Sequence, residues 1–280
     1  MKLPSKHKHL QVAGFAALLA LGFNSQASAA AFPPFTVDPN AAFGAVGGPH
    51  PGAFQADFIT GNSSTLVTTP GGGIATGSGW VNFSAFVDAG SNVLATVSGL
   101  NSNWQMWAEF TYDVSLTSGP YAQPGSTYNV TDLHVTFWVD PSIATATTFT
   151  SASNVGGAAT VTHGADAFQI ATADLIVGTA NINALGGTGF NSTNSFNLLN
   201  PAGTSLFTAP VPFYNVQFDE FNNTTQGVFT DPAGRFIALN QTSGGVDFNR
   251  VQVPEPASLA LLGIGMLGIF GSRRFANRKI

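Results

Sequence analysis

Residues 104–117, WQMWAEFTYDVSLT, alternate strictly between two kinds of side chain. Trp104, Met106, Ala108, Phe110, Tyr112, Val114 and Leu116 fall on one face. Gln105, Glu109, Thr111, Asp113, Ser115 and Thr117 fall on the other, where Trp107 is the one apolar residue. A period of two belongs to a pleated strand with one buried face and does not fit a helix. The pattern recurs in YNVTDLHVTFWVD, with Leu133, Val135, Phe137 and Val139 opposed to Asp132, His134 and Thr136. It recurs again in GWVNFSAFVD, with Val81, Phe83, Ala85 and Val87 on one face. Further strands are predicted over 93–97, 167–177, 195–199, 213–221, 235–239 and 246–253. Clusters of Gly, Pro and Asn separate them: TPGGG, SGPYAQPG, NVGG, ALGGTGFNSTN, NPAG and DPAG. Residues 150–168 and 182–194 read as long loops, and no stretch between the two ends has a helical period. The fold class is all-β, an antiparallel β-sandwich or barrel-like sheet.

The two ends follow other rules. Lys2, Lys6 and Lys8 precede an apolar run from Val12 to Phe23, and Ala27-Ser28-Ala29 supplies small residues at alternate positions. This is the pattern of a secretory signal peptide over 1–29, cleaved between Ala29 and Ala30. At the other end, no residue from Ala257 to Gly271 is charged, and Arg273, Arg274, Arg278 and Lys279 follow. As a helix, that run is about 22 Å long at about 1.5 Å per residue, short against a hydrocarbon core of about 30 Å. Snorkelling of the basic side chains and thinning of the bilayer make up part of the difference. The basic cluster favours a C-terminus retained in the cytosol. Residues 253–280 are therefore expected to be a transient membrane anchor with one transmembrane helix over 257–271, and 30–252 the exported all-β domain.

Removing both ends changes the charge of what remains. Between Ala30 and Val253 the chain has thirteen acidic residues, two arginines (Arg235 and Arg250) and no lysine, a net charge of −11 against −5 for the whole sequence. Such a body repels nucleic acid and anionic lipid. Cysteine is absent, so an exported domain must rely on its core, which about 225 residues can provide. The 24 phenylalanines and 4 tryptophans exclude a disordered chain.

Chemistry-bearing patterns are sparse. Three histidines remain after processing: His50 in GPHPG, His134 on a polar strand face, and His163, which precedes Asp166 in THGAD. There is no HExxH, no GxSxG and no Cys, so neither a zinc-site motif nor a nucleophile elbow is present. Glu109 and Asp113 share a strand face about 13 Å apart at about 3.3 Å per residue, too far for paired carboxylate chemistry. Asp219 and Glu220 would point to opposite faces of a strand. No catalytic residue, metal site or cofactor is assigned. If a cation is held, calcium suits the oxygen ligands of DEFNN (219–223) and DAGSN (88–92). Trp107 and Trp138, on otherwise polar faces, are the candidates for stacking on sugar rings.

The string VPEPASLALLGIGMLGIFGSRR, opening at Val253, Pro254, Glu255 and Pro256, resembles a PEP-CTERM sorting tail. That resemblance implies recognition by an exosortase, an integral-membrane peptidase, and delivery to the cell surface or extracellular matrix. The two prolines hold Glu255 in extended backbone. The segments FTVDPNAAFG, FQADFITGNSS, VTFWVDP, DAFQIATADL and VPFYNVQFDEF resemble, in order, the flocculation-associated PEP-CTERM proteins of floc-forming bacteria. This second resemblance implies a non-catalytic matrix role with exopolysaccharide in flocs or biofilm, with no catalytic residues to carry over. The alternatives from the residues alone are a carbohydrate-binding module and an extracellular polysaccharide-acting enzyme. Mass spectrometry of the exported protein should find residues 1–29 missing and the chain cut near Pro254–Pro256. An intact precursor in the soluble cytosolic fraction would contradict this reading.

Overall fold

The computed structural model describes residues 33–222 and 227–249. The segment expected to be a signal peptide, the Pro-Glu-Pro motif, the apolar run 257–271 and the terminal basic cluster lie outside these residues. The elements, in chain order, are β1 (Phe35–Val37), α1 (Pro39–Phe43), β2 (Phe54–Ala56), β3 (Phe58–Gly71), β4 (Ile74–Asp88), β5 (Ser91–Asn92), α2 (Ala95–Ser98), β6 (Gln105–Ser118), β7 (Thr127–Asp140), β8 (Thr148–Thr150), β9 (Thr160–Thr162), β10 (Phe168–Ile182), β11 (Thr188–Leu198), α3 (Ala202–Leu206), β12 (Phe207–Ala209), β13 (Asn215–Asn222), β14 (Val228–Thr230) and β15 (Phe236–Asn249). Among the described residues, no helix is long and apolar enough to cross a membrane.

Eight of the strands close on themselves. β3, β4, β6, β7, β10, β11, β13 and β15 pair antiparallel in that order, and β15 completes the ring by pairing with both β13 and β3. Each barrel strand follows its neighbour along the chain, as in an up-and-down barrel, and closure leaves the ring without an unpaired edge. Of the two architectures expected, the barrel is the one formed.

The alternation read from the sequence sets the inner face. Met106, Ala108, Phe110, Tyr112 and Val114 of β6 and Leu133, Val135, Phe137 and Val139 of β7 are buried in one core. In β4 the inward set changes part-way. Val81 and Phe83 point in, but the expected Ala85 and Val87 are only half-buried, and Phe86 takes the inner position. The cause is a bulge: Gly61 of β3 faces Phe83 and Thr60 faces Ala85, so Ser84 is left without an opposite partner and the parity flips.

Other expectations are corrected. The strand predicted at 93–97 contains instead the helical turn α2. The N–H of Gly99, left-handed at φ 72°, caps it by donating to the Ala95 carbonyl. Leu94 and Val97 are exposed, so alternation there has no face to bury. α1 and α3 are also single turns, too short to show a helical period. Residues 182–194 are mostly strand, since β10 and β11 pair as far as Ile182 and Thr188. The loop 150–168 contains β9, which pairs with β8.

The two ends of the barrel differ. At one end a small sheet, ordered β12-β1-β2, closes the lumen with aromatic rings. Phe35 lies 4.8 Å from Phe248, Phe54 lies 5.1 Å from Phe86, and Phe213 lies 4.9 Å from Phe248, all tilted or edge-on. These are favoured ring geometries, and each fully buried Phe stabilises by about 1.5–3 kcal/mol. At the other end the inner residues of β4 shrink to Ala75, Gly77 and Gly79. Tyr112, opposite Gly77 on β6, lays its ring over that glycine so closely that an added Cβ would lie 2.1 Å from the ring. We predict that Gly77→Ala forces this ring out of place and destabilises the fold by about 1–3 kcal/mol, measurable by urea denaturation; unchanged stability would mean that the ring has room to move.

Candidate functional site

The connection from β7 to β10, residues 141–167, lies against the outside of the barrel. Its attachment is specific. The Ala152 N–H donates to Ser64 Oγ at 2.9 Å, Asn240 Nδ2 to the Ala152 carbonyl at 2.9 Å, and Trp80 Nε1 to the Thr150 carbonyl at 3.0 Å. Leu66, Ala152 and Ala238 form a second small apolar cluster beneath it. The barrel thus has a core on both sides of the wall at β3 and β15.

Where this connection meets β6 and β7, it builds an aromatic shelf. Trp107 and Trp138 are directly opposite in the β6–β7 register, and their rings stack at 6.3 Å with 8° between planes. Phe149 of β8 meets Trp107 edge-on at 6.1 Å and Trp80 at 5.0 Å. His163 lies 5.4 Å from Trp107 and 4.3 Å from Trp138. Glu109 binds the group together: its Oε1 accepts from Trp107 Nε1 at 3.0 Å and contacts His163 Nε2 at 2.6 Å. Trp107 is 0% exposed and Trp138 is half-buried. Of the two predicted sugar-stacking residues, then, only Trp138 reaches solvent. Trp107 is covered by the chain's own Phe149 and His163, a contact between distant segments that strand alternation cannot show.

The remaining candidates are spread out. His134 pairs with Asp174 at 2.7 Å, both side chains more than half exposed, across the β7–β10 ladder. His163 contacts Glu109; Asp166 lies on an exposed turn. His50 Nε2 meets the Val46 carbonyl at 2.6 Å, and its ring packs on Phe43, which makes it part of the GPHPG loop. The DAGSN stretch is a tight β4–β5 turn with Ala89 and Gly90 at positive φ. The Ala89 N–H donates to Asp57 there. Residue 223 of DEFNN lies outside the described residues. Among those described, no group of three or more His, Asp or Glu converges to hold a metal. The Arg235 guanidinium hydrogen-bonds Asp231 at 3.0 Å and holds its carboxyl below the usual range.

One pairing escaped the sequence reading. Asp113 and Asp132 are directly opposite in the β6–β7 register, both exposed. Like charges placed so are unfavourable in a sheet. With Thr111, Thr136, Thr172 and Gln169, they make the outer wall of β6, β7 and β10 a strip of hydroxyl, amide and carboxylate groups running up to Trp138.

A family model described as the PEP-CTERM protein-sorting motif matches residues 252–274. The chain carries a PEP-CTERM sorting tail. The matched segment contains Val253, Pro254, Glu255, Pro256, the apolar run 257–271, Arg273 and Arg274, and it begins just after β15 ends at Asn249. The PEP-CTERM tail marks the chain as an exosortase-targeted protein directed to the cell surface by way of a transient membrane anchor. No curated protein and no solved structure matches the chain.

The shelf depends on Glu109. Replacing it with alanine leaves the buried Trp107 indole N–H without its acceptor, which costs about 1–3 kcal/mol. Glu109→Gln keeps an acceptor and should cost less. Denaturation midpoints of the two variants check this; equal losses would show that charge, rather than the hydrogen bond, is what Glu109 supplies.

Proposed function

We propose that the exported barrel is a non-catalytic surface or matrix protein that holds extracellular polysaccharide and promotes floc or biofilm formation. The observation that carries this reading is the outer wall of β6, β7 and β10. It offers hydroxyl, amide and carboxylate groups along one strip, and half-buried Trp138 at the end of that strip presents a ring on which a sugar can stack. The sorting tail supports it by directing the barrel to the place where such polymers lie. The ordered resemblance of FTVDPNAAFG, FQADFITGNSS, VTFWVDP, DAFQIATADL and VPFYNVQFDEF to flocculation-associated proteins points the same way.

Charge adds a condition. A body of net charge −11 is repelled by an acidic polymer unless cations intervene. The opposed Asp113 and Asp132 are where a divalent ion such as calcium, bound by carboxylate oxygens, would relieve repulsion within the protein and bridge to the polymer.

A second reading, a polysaccharide-acting enzyme, rests on the contact between His163 and Glu109 beside the aromatic shelf, since a base and an acid in contact are common catalytic partners. Substituting His163 and measuring polymer chain length separates the two: the matrix reading expects no change.

The direct test is retention of the purified exported protein on polysaccharide extracted from the native matrix. Trp138→Ala should weaken retention by about 5- to 150-fold, as expected for about 1–3 kcal/mol of ring stacking. Excess chelator should weaken retention further on acidic polymer. Full retention by Trp138→Ala would remove the wall from the account, and full retention in chelator would remove the cation bridge.

A further inference from the structure

Away from the phenylalanine cap, the lumen of the barrel changes character. A hollow of about 70 Å³ opens there among Ala75 of β4, Val114 of β6, Ala180 of β10, Phe190 of β11, and Ile237 and Leu239 of β15. Register places its walls on the inner face. Ile237 stands opposite Val67, Val67 opposite Gly77, and Gly77 opposite Tyr112. Tyr128 stands opposite Ala180, and Ala180 opposite Phe190. Side chains directly opposite in a sheet share a face, and Tyr112, Tyr128 and Phe190 belong to the inner core. The rings of Tyr112 and Phe190 meet at 4.9 Å along one wall. An eight-stranded barrel is just wide enough for side chains to fill it. The space remains because Ala75 and Ala180 bring only a methyl group each.

The recess is held in shape. Ala122 of the β6–β7 loop lines it, and that loop is tied to the strands on both sides. The Tyr121 hydroxyl donates to the Ile74 carbonyl, and the Gly125 N–H donates to the Ile182 carbonyl at 2.8 Å. Two hydroxyls on its wall are already engaged within the protein. Thr69 donates to the Gly234 carbonyl, and the Tyr128 hydroxyl accepts from the Ala122 N–H at 2.7 Å. Among the described residues, no charged side chain lines the hollow. Ala180, Ile182 and Thr188 are only half-buried, so it is reached from solvent. The mouth of a β-barrel is a recurring place for a small-ligand site.

We infer that this hollow binds the end of a neutral alkyl chain. Its walls recognise the group by removing it from water and by dispersion contact with Tyr112, Phe190 and the aliphatic side chains around them. Size sets the limit. A water molecule occupies about 30 Å³ of the liquid, and a cavity that holds benzene measures about 150 Å³. The hollow therefore takes about two or three carbons and excludes a ring, and the rest of the ligand stays outside the barrel. An occupant restores contacts that a void in a core forfeits. The site lies in the lumen, and the Trp138 shelf lies on the outer wall; neither depends on the other.

The probes are 1-alkanols from methanol to 1-octanol, titrated into the exported protein and followed through the aromatic NMR signals of Tyr112, Tyr128 and Phe190. Affinity should rise about fourfold for each methylene buried and level off once about three carbons are inside. Ala180→Leu should abolish this dependence on chain length by filling the hollow; Ala75→Val serves if that variant does not fold. Thr127→Ala, exposed on the outer face, should leave the affinities unchanged. Because Glu220 stands opposite Phe190 in the β11–β13 register, butylammonium is titrated beside 1-butanol, and the alcohol should bind at least as well. Four results would overturn the proposal: affinity independent of chain length, a dependence that survives filling, a loss in Thr127→Ala equal to that in Ala180→Leu, or tighter binding of the cation.

Discussion

The structure depends on the ladder that closes the ring. β15 pairs with β3 from Phe236 opposite Thr68 to Asp247 opposite Phe58, and with β13 from Ser243 to Asn249. Without that closure, β3 and β13 would be open edges on a protein with few charges to keep other strands away. An exported domain without cysteine has no covalent link to replace it. Closure also explains the polar residues inside. Ser63 and Thr242 lie opposite in this ladder, both buried and hydrogen-bonded to one another. Ser192 donates to the Phe218 carbonyl on the adjoining pair at 3.3 Å. Hydroxyls that would be costly in an open, apolar core are satisfied within the ring.

The same ladder joins fold to destination. β15 is the final barrel strand, and the sorting motif begins at residue 252, shortly after Asn249. The segment an exosortase must grip therefore follows the strand that completes the fold, separated from it by two residues. The chain's two functional regions divide in the same way. The tail directs the protein to the cell surface, and the barrel is the part that we propose acts there. On the wall, the connection between β7 and β10 covers Trp107 and leaves Trp138 half-buried, so a single ring remains available for contact.

Much of this was legible because alternation is a local signal. β6 and β7 were readable almost residue by residue, since each inner position is apolar and each outer one polar, apart from Trp107 and Trp138. β3 was not readable. Its inner positions include Ser63, Thr65 and Thr69, which are buried by pairing across the ring, and Leu66 on its outer side is buried beneath the Ala152 loop. A strand with both faces covered and hydroxyls inside carries no period-two pattern. The face change at Phe86 came from a bulge that depends on Gly61 of the neighbouring strand. The site was legible in its residue types and not in its contacts. Trp138 was read correctly as a ring on a polar face. The burial of Trp107, the contact between His163 and Glu109, and the opposition of Asp113 and Asp132 all depend on register or on a distant loop. The barrel mouth gave no signal, because a hollow is made by what several strands omit together.

The central claim is that the exported unit is a closed ring of eight strands, and hydrogen exchange on the exported protein tests it most directly. The account predicts that the residues of β15 and β3 that face each other, such as Ile237 and Val67 or Val246 and Ile59, lie in stretches whose amides are protected to the same degree as those of the interior pair β6 and β7. Exchange at β3 and β15 as fast as at a free edge, with β6 and β7 still protected, would show an open sheet and contradict it.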